Sequence, residues 1–475
     1  MNVSENTFTK IEAEAEHFFE ELLGANFCHT DPENRQKYGH DETEDLVFEP
    51  HIVLRPQCVA EVSAIMRYCD AHNICVTPRG GGSGLAGGAL PVCGGVLLSM
   101  ERFNQILSID SKNYQVTTEP GVVTEILQNT LREQGLFYPP DPSSRGWSHI
   151  GGNVNTNAGG PKAVKYGVVK DYVLNLEVVL PNGEIVWTGA NTLKNSTGYN
   201  LTQLLVGSEG TLGIITKIVL KLLPYPPFNL LMLVPFRSPT RACEAVAAIF
   251  EAGITPSGLE FMERDAIDWA IAYIGEVNNL PNSVLDDAQA HLLIEVDGHD
   301  SGVLQTDCEK IYELMLQFDC GEILFADNET QKTDLWRMRR NVANAVKTQS
   351  VYKEEDTVVP RAELPKLLAG VKAIGAKYGF KSVCYGHAGD GNLHVNIIKG
   401  NLSEDVWQND LPKGIREIFT LVKSLGGTLS GEHGIGYVQR DYMDIVFTPV
   451  ELALMKGIKT VFDPKGILNP EKILF

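Results

Sequence analysis

Within the first hundred residues, two segments with the apolar pattern of strands flank one segment with the apolar pattern of a helix. The segments HIVLRP (51–56) and ICVTP (74–78) are short apolar runs that predict two strands. The segment between them predicts a helix, because its apolar residues recur every three or four positions. These residues are Val59, Val62, Ile65, Met66 and Cys69. Together the three segments predict a β-α-β unit.

A mixture of helical and strand patterns continues in the second half of the chain. The segment 238–253 predicts a helix, and 291–298 predicts a strand. The segment 364–379 predicts an amphipathic helix that ends at Gly379. The second half is therefore also expected to be mixed α and β.

Length and composition are those of a globular protein with more than one domain. The chain has 475 residues, of which 43% are hydrophobic and 21% charged, and one core rarely serves so long a chain. Prolines at positions 224, 226 and 227 interrupt a strand-like stretch and mark the boundary that we predict. We expect one domain over residues 1–225 and another over 226–475.

Net charge and cysteine usage exclude several classes of protein. A formal charge of −20 disfavours nucleic acid and anionic lipid as partners. The first twenty residues lack the apolar core of a signal peptide, and no stretch reaches the roughly 18 apolar residues of a spanning helix. The nine cysteines include no C-x-x-C pair, which favours reduced thiols over disulfides or an iron–sulfur cluster. We expect a cytoplasmic protein without a nucleic-acid partner or a transmembrane segment.

The first chemical signal is the glycine-rich segment TPRGGGSGLAGGALP (77–91). Gly82, Gly84 and Gly87 match the G-x-G-x-x-G spacing of a dinucleotide site, but that motif alone is weak. A Rossmann fold needs a helix to open inside the motif, whereas Pro91 and the strand-like VLLSM follow here. We predict instead an extended loop whose backbone N–H groups bind a diphosphate. A flexible surface loop is the alternative.

Two more glycine-rich segments follow in the same domain, at residues 139–167 and 204–216. Glycines permit close approach of the backbone to a ligand, and Ser, Thr and Asn side chains add hydrogen bonds at its edges. Three such loops in one domain predict an extended ligand.

The glycine-rich motifs and their order along the chain resemble those of the FAD-binding domain of the vanillyl-alcohol-oxidase or PCMH type. The motifs are PRGGGSGLAGG, PDPSS, IGGNVNTNAGG and GSEGTLGIIT, and the resemblance covers roughly residues 45–225. Later, GHAGDGNLH, SGEHGIG and FDPKGILNPEKIL resemble the cap domain of the FAD-linked 2-hydroxy-acid dehydrogenases. That family includes D-lactate dehydrogenase, the glycolate oxidase flavoprotein subunit and D-2-hydroxyglutarate dehydrogenase.

The resemblance implies an α+β fold in two domains. The first is a PCMH-type FAD-binding domain of two α/β subdomains, with its core at 45–225 and an N-terminal helical segment at 1–44. The second is an α+β cap, or substrate domain, whose C-terminal segment returns to the FAD domain.

The resemblance also implies which residues contact FAD. They are Arg79, Gly80, Gly81, Gly82, Ser83, Gly84, Pro140, Asp141, Ser143, Ser144, Gly151, Gly152, Asn153, Asn157, Ala158, Gly159, Glu209, Gly210 and Ile215. Some relatives attach FAD covalently through a histidine where this chain has Ser83, so we expect non-covalent FAD. His149 and Asn155 stand where the family more often has a hydroxyl residue and an alanine.

Two histidines flank the Gly-Asp-Gly stretch of CYGHAGDGNLHV (384–395). If the Asp-Gly pair forms a two-residue type I′ turn, His387 lies directly opposite His394 with both rings on one face. Opposed residues have Cβ atoms about 4.5–5.5 Å apart, which suits a shared metal ion. Asn396 points to the same face and is a further catalytic candidate.

A third metal ligand and a base are offered by SGEHGIG, which contains Glu432 and His433. Two histidines and a carboxylate with open positions are typical of catalytic Zn²⁺, Mn²⁺ or Fe²⁺ sites. With the family resemblance, they predict one divalent metal, with Zn²⁺ as the first choice, and a general base at His433. The alternatives are a metal-free hydrogen-bonded cluster, and a His433 that only orients Glu432.

Flavin chemistry suggests what the metal does. Oxidation of a 2-hydroxy acid sends the C2 hydrogen to flavin N5 as hydride while the hydroxyl loses its proton, and a chelated cation would stabilise the developing alkoxide. The segment 334–360 resembles the family's carboxylate-binding segment, which implies Arg339 and Lys353 as ligands of the substrate carboxylate. Ala343 replaces a threonine of the D-2-hydroxyglutarate enzymes, which favours lactate or glycolate.

The preferred hypothesis is an FAD- and metal-dependent dehydrogenase of D-2-hydroxy acids. Its electrons would pass to a non-NAD acceptor such as electron-transfer flavoprotein, a quinone or an iron–sulfur subunit. One alternative is a flavin synthase without net oxidation, such as alkylglycerone-phosphate synthase, and another is a non-catalytic scaffold subunit of an electron-transfer complex. A homodimer, and a position at the inner membrane through the acceptor, are left open.

Overall fold

The computed structural model describes residues 8–275 and 285–474. Its first sheet has the order β1-β2-β4-β3 and contains β1 (Cys28–His29), β2 (Ile52–Leu54), β3 (Val76–Arg79) and β4 (Val96–Ser99). β4 pairs in parallel with both β2 and β3. The helix Val59–His72 connects β2 to β3 and buries every predicted apolar residue except the half-buried Val59. The predicted β-α-β unit is confirmed.

A second, antiparallel sheet completes the first domain. It has the order β5-β6-β10-β8-β9 and contains β5 (Ile106–Asp110), β6 (Gln115–Thr118), β8 (Val173–Val179), β9 (Ile185–Trp187) and β10 (Ile214–Lys221). The short strands β7 (Leu136–Phe137) and β11 (Leu223–Pro224) pair with each other. The first glycine-rich loop connects β3 to β4, the second lies between β7 and β8, and the third leads into β10.

The second domain is built on a seven-stranded antiparallel sheet with the order β15-β12-β14-β13-β17-β18-β16. Its strands are β12 (Phe228–Phe236), β13 (Gly258–Glu263), β14 (Ala290–Gly298), β15 (Leu324–Phe325), β16 (Tyr352–Val358), β17 (Lys381–Gly386) and β18 (Asn392–Ile398). One face packs Phe261, Val395 and Ile397 into the main core of this domain. The other face carries Met262 and Tyr385 in a separate core.

Helices pack on these sheets. In the first domain they are Ala13–Leu23, Pro32–Tyr38, Val59–His72, Thr124–Arg132, Ile150–Thr156, Ala163–Tyr166 and Leu201–Leu205. In the second domain they are Pro239–Glu251, Arg264–Ile274, Ser301–Met315, Glu329–Arg340, Val342–Lys347, Leu364–Tyr378, Leu411–Ser424, Met443–Val446 and Pro449–Phe462. Gly379 ends its helix in the left-handed conformation, with φ +78°.

The C-terminal segment returns to the first domain, as the resemblance implied. Ile467 and Leu468 are fully buried in the core formed with β2, β3 and β4, and Leu468 forms a parallel bridge with Val76. Phe462, at the end of the preceding helix, packs against the core of the second sheet. Among the helices of residues 8–275 and 285–474, none combines the length and apolar character needed to cross a membrane.

Candidate active site

A cavity lies between the three glycine-rich loops and the second domain. Most residues predicted to contact FAD line it: Arg79, Gly80, Gly81, Gly82, Ser83, Gly84, Ser143, Ser144, Gly151, Gly152, Asn153, Ala158, Glu209, Gly210 and Ile215. On the cap side, its lining is Arg339, Arg340, Ala343, Asn344, Lys347, Glu354, Tyr385, His394, Glu432 and His433. The cavity therefore joins the predicted flavin loops to the predicted base and to two of the three predicted metal ligands, whereas His387 lies outside the lining.

Four of the predicted FAD contacts lie outside this lining. They are Pro140, Asp141, Asn157 and Gly159. Asp141 instead binds two arginines, accepting hydrogen bonds from Arg145 at 2.8 Å and from Arg340 of the cap at 2.7 Å. Asp141 therefore links the two domains beside the cavity.

Close backbone contacts explain why the first loop is rich in glycine. A Cβ on Gly81 would lie 2.5 Å from the Trp147 carbonyl oxygen, and Gly82 adopts a φ of +71° against the Arg79 guanidinium. Arg79 is only 9% exposed, and its Nη1 has no hydrogen-bond partner within the described part of the chain. A diphosphate would supply that partner, so the loop fits FAD.

His149 and Asn155, the two residues that differ from the family pattern, also line the cavity. Asn155 Oδ1 accepts a hydrogen bond from the Gly210 N–H at 3.0 Å, so this side chain holds the third glycine-rich loop against the second. His149 has a buried Nδ1 without a partner among the residues described. Nothing in the structure explains its presence there.

The predicted two-residue turn between the histidines is wrong. In the pairing of β17 with β18, His394 lies opposite Tyr385 rather than opposite His387. His387 lies in the connecting loop, directly before a 3₁₀ turn at Ala388–Asp390. The two imidazoles nevertheless converge, with ring centroids 5.5 Å apart.

Gly391 closes this loop in a conformation that disfavours any side chain. Its φ is +77°, and a Cβ there would lie 1.9 Å from the Val359 carbonyl oxygen. We expect Gly391→Ala to lower the free energy of unfolding by about 2 kcal/mol or more, measured as a lower Tm. The matched control is Gly379→Ala, because Gly379 has φ +78° but open space around its Cβ. Equal losses of Tm in the two variants would contradict the close contact at Gly391.

Three potential metal donors meet at the cap side of the cavity. Glu432 Oε1 lies 3.2 Å from His387 Nε2 and 3.5 Å from His394 Nε2. The other ring nitrogens face carboxylates, because His387 Nδ1 is 2.8 Å from Glu260 and His394 Nδ1 is 3.2 Å from Glu354. A carboxylate on Nδ1 orients an imidazole and leaves its Nε2 for a metal. The donor set therefore fits a divalent cation such as Zn²⁺.

The charges in this cluster depend on one another. Burial lowers the pKa of His387, but Glu260 and Glu432 outweigh it and raise that pKa to about 10. Burial raises the pKa of Glu432, but the neighbouring histidines, His387 first, bring it down to about 2. The carboxylates thus stabilise positive charge at the place where a cation would bind.

His433 lines the cavity beside these donors. Its ring stacks on His394 with centroids 5.1 Å apart, and its Nε2 lies 4.0 Å from Glu432 Oε1. Burial lowers the pKa of His433, but the carboxylates around it, Asp356 first, raise it above the usual value. A raised pKa makes the neutral imidazole a stronger base.

The structure brings Arg339 to the cavity, but not Lys353. Arg339 is 3% exposed, its Nη2 pairs with Glu260 at 2.5 Å, and its Nε has no hydrogen-bond acceptor in the described ranges. Lys353 lies on the opposite face of β16, with its Nζ 5.9 Å from the Trp407 ring centroid. Asn396 is fully buried on the cavity face of β18, outside the lining.

Sequence reasoning missed four residues that complete the site: Glu260, Glu354, Asp356 and Tyr385. Glu354 and Asp356 alternate along β16, so the two-residue period of a strand could have indicated their shared face. Glu260 gave no such signal, because it lies on another strand, 127 positions from His387.

Comparison with protein families matches both halves of the chain. The model described as "FAD linked oxidases, C-terminal domain" matches residues 225–473, more than half of the chain, and the model described as "FAD binding domain" matches residues 50–189. Of the curated relatives, D-lactate dehydrogenase of Anaerostipes hadrus is 35% identical over 475 residues, 100% of both chains. Glycolate oxidase subunit GlcD of Bacillus subtilis is 38% identical over 92% of each chain. D-2-hydroxyglutarate dehydrogenase of Stutzerimonas stutzeri is 33% identical, over 94% of this chain and 95% of its own.

The solved structures agree on the fold. A crystal structure of p-cresol methylhydroxylase with substrate bound superposes with a TM-score of 0.79 at 19% identity, covering 97% of this chain and 96% of the other. At that identity the likeness shows the fold alone, and it confirms the α+β, PCMH-type architecture. Together with the family matches and the close relatives, it establishes that this chain belongs to the FAD-linked oxidase family and is a flavoprotein oxidoreductase.

Proposed function

We propose that the protein oxidises a small D-2-hydroxy acid to the 2-oxo acid, using non-covalent FAD and one divalent metal ion. D-lactate and glycolate are the favoured substrates. The observation that carries the proposal is the convergence of His387, His394 and Glu432 beside the cavity formed by the glycine-rich loops. Relatives named D-lactate dehydrogenase and glycolate oxidase subunit support this substrate class.

The residues of the cap have different roles in the proposed reaction. When bound in the cavity, FAD would supply a hydride acceptor, and a divalent cation held by His387, His394 and Glu432 would supply Lewis acidity for the substrate hydroxyl. His433 accepts the hydroxyl proton, because its ring lines the cavity beside Glu432. Arg339 binds the substrate carboxylate through the donors that Glu260 leaves free. Glu260 holds His387 and Arg339 in place at the same time.

Two residues of the lining favour a substrate with a single carboxylate. Ala343 contributes only a methyl group to the cavity. Glu354 adds a carboxylate 3.2 Å from His394, and a second substrate carboxylate would meet like charge there. D-2-hydroxyglutarate is therefore the less favoured substrate.

We propose that electrons leave the flavin for a separate acceptor. The relative named as a subunit of glycolate oxidase supports a multi-component assembly. The cysteines of this chain form no C-x-x-C pair that would hold its own iron–sulfur cluster. Electron-transfer flavoprotein, a quinone or an iron–sulfur subunit would each serve as that acceptor.

Anaerobic reduction of the bound flavin tests the proposed reaction. D-lactate or glycolate should bleach the flavin absorbance of the metal-replete holoenzyme, whereas L-lactate should not. A chelator should stop the bleaching, and added Zn²⁺ or Mn²⁺ should restore it. Bleaching that persists after complete removal of metal would contradict the metal requirement. A metal-replete flavin that no 2-hydroxy acid reduces would contradict the reaction itself.

A further inference from the structure

The loop that carries Glu432 and His433 is anchored to the cap sheet by one buried carboxylate. Asp356, on β16, is 2% exposed. Its Oδ2 accepts hydrogen bonds from the Ser430 hydroxyl and from the backbone N–H groups of Gly431, Glu432 and His433, all at 2.8–2.9 Å. Four hydrogen bonds from the first half of the loop therefore converge on a single oxygen atom.

The second half of the same loop is held by a carboxylate from the other domain. Glu209 is 8% exposed, its Oε1 accepts the Ile435 N–H at 2.8 Å, and its Oε2 accepts the Gly436 N–H at 2.7 Å. The sequence predicted a flavin contact at Glu209. In the structure, both carboxylate oxygens bind the cap loop, although the residue also lines the flavin cavity.

The backbone of Glu209 is fixed in an unusual conformation. Its φ is +50°, which is unfavourable for a residue with a Cβ. The Glu209 N–H donates to the Asn155 carbonyl oxygen at 2.8 Å, and the Glu209 carbonyl oxygen accepts a hydrogen bond from Asn469 at 2.7 Å. These contacts from both sides hold the side chain in the direction of residues 435–436.

We propose that Glu209 is a positioning residue that sets Glu432 and His433 relative to the flavin. Glu209 belongs to a glycine-rich loop of the FAD-binding domain, so its hydrogen bonds tie the metal loop to that domain. Asp356 ties the same loop to the cap sheet. Without either carboxylate the loop loses an anchor and the donor atoms lose their alignment, which weakens metal binding. This inference rests on the proposed metal site.

The variant Glu209→Gln tests the positioning role. It preserves side-chain size but replaces one acceptor oxygen with an NH₂ group, which cannot accept a backbone N–H. We expect Zn²⁺ to bind the metal-free, FAD-loaded variant at least about tenfold more weakly than the wild type, measured by calorimetric titration. FAD content and Tm are measured on the same samples, so that Zn²⁺ affinity is compared between folded, FAD-loaded proteins only. Asp356→Asn should weaken Zn²⁺ binding in the same way.

Glu61→Gln is the matched control. Glu61 also accepts a backbone N–H in the FAD-binding domain, that of Gln57 at 2.7 Å, and it lies outside the cavity lining. This variant should bind Zn²⁺ as the wild type does. If Glu209→Gln fails to fold, Glu209→Asp gives the same comparison, because it keeps the charge but withdraws both oxygens from the loop.

The outcomes separate this inference from the proposed function. Wild-type Zn²⁺ affinity in a folded Glu209→Gln or Glu209→Asp variant would overturn the positioning role alone. A wild-type protein that binds no Zn²⁺ would overturn the proposed metal site, and this inference with it. Weaker binding in the Glu209 variant with normal FAD content supports both.

Discussion

His387→Ala and Glu432→Ala should each abolish metal binding and reduce turnover by about a thousandfold or more. Each substitution removes one of the three donor atoms, which lie within 4.8 Å of one another. This loss of turnover should be larger than the loss of about 10- to 100-fold expected when a residue that only orients a metal ligand is removed. His387→Ala also removes one of the ion pairs of Glu260 and leaves its pair with Arg339.

Metal content per protein, FAD content and steady-state turnover check this prediction together. FAD content should stay near wild type, because neither His387 nor Glu432 belongs to the glycine-rich loops. His17→Ala is the control, since His17 is 70% exposed on the first helix. If both site variants keep full metal content and full turnover, the metal site does not exist as proposed.

Local patterns were sufficient for much of the fold. The β-α-β unit followed from apolar periodicity, because Val62, Ile65 and Met66 must lie on one buried face of a helix. The first glycine-rich segment was predicted as a loop rather than a Rossmann helix, and it does connect β3 to β4 without a helix. In each case, a few neighbouring residues determine the structure.

The failures have a common physical cause, which is long-range register. The Asp-Gly pair favoured a two-residue turn, but packing of the loop holds it in a longer 3₁₀ conformation, with Gly389 against Val164 and Leu259. The family resemblance of segment 334–360 implied Lys353 together with Arg339, yet the two-residue period of β16 places Lys353 on the face opposite Glu354 and Asp356. One sequence does not reveal which strands are neighbours, so the carboxylate at Glu260 was missed.

His433→Asn should lower kcat by about 10²- to 10⁴-fold while metal and FAD contents stay at wild-type levels. The substitution removes the proposed base but keeps a side chain that can form hydrogen bonds. His433 is not one of the three residues His387, His394 and Glu432 whose donor atoms converge, and its Nε2 lies 4.0 Å from Glu432 Oε1. The dependence of kcat/KM on pH should also lose the limb that reports ionisation of this base.

Metal content is the measurement that decides between two arrangements of this site. Glu354, His394 and His433 also bring one potential ligand atom each within 4.8 Å of one another. If that second group holds the metal, His433→Asn should lose metal as well as turnover. If His433 only orients Glu432, turnover should fall by no more than about 100-fold. If His433 is the base and does not hold the metal, His433→Asn should keep wild-type metal content and lower turnover by more than about 100-fold.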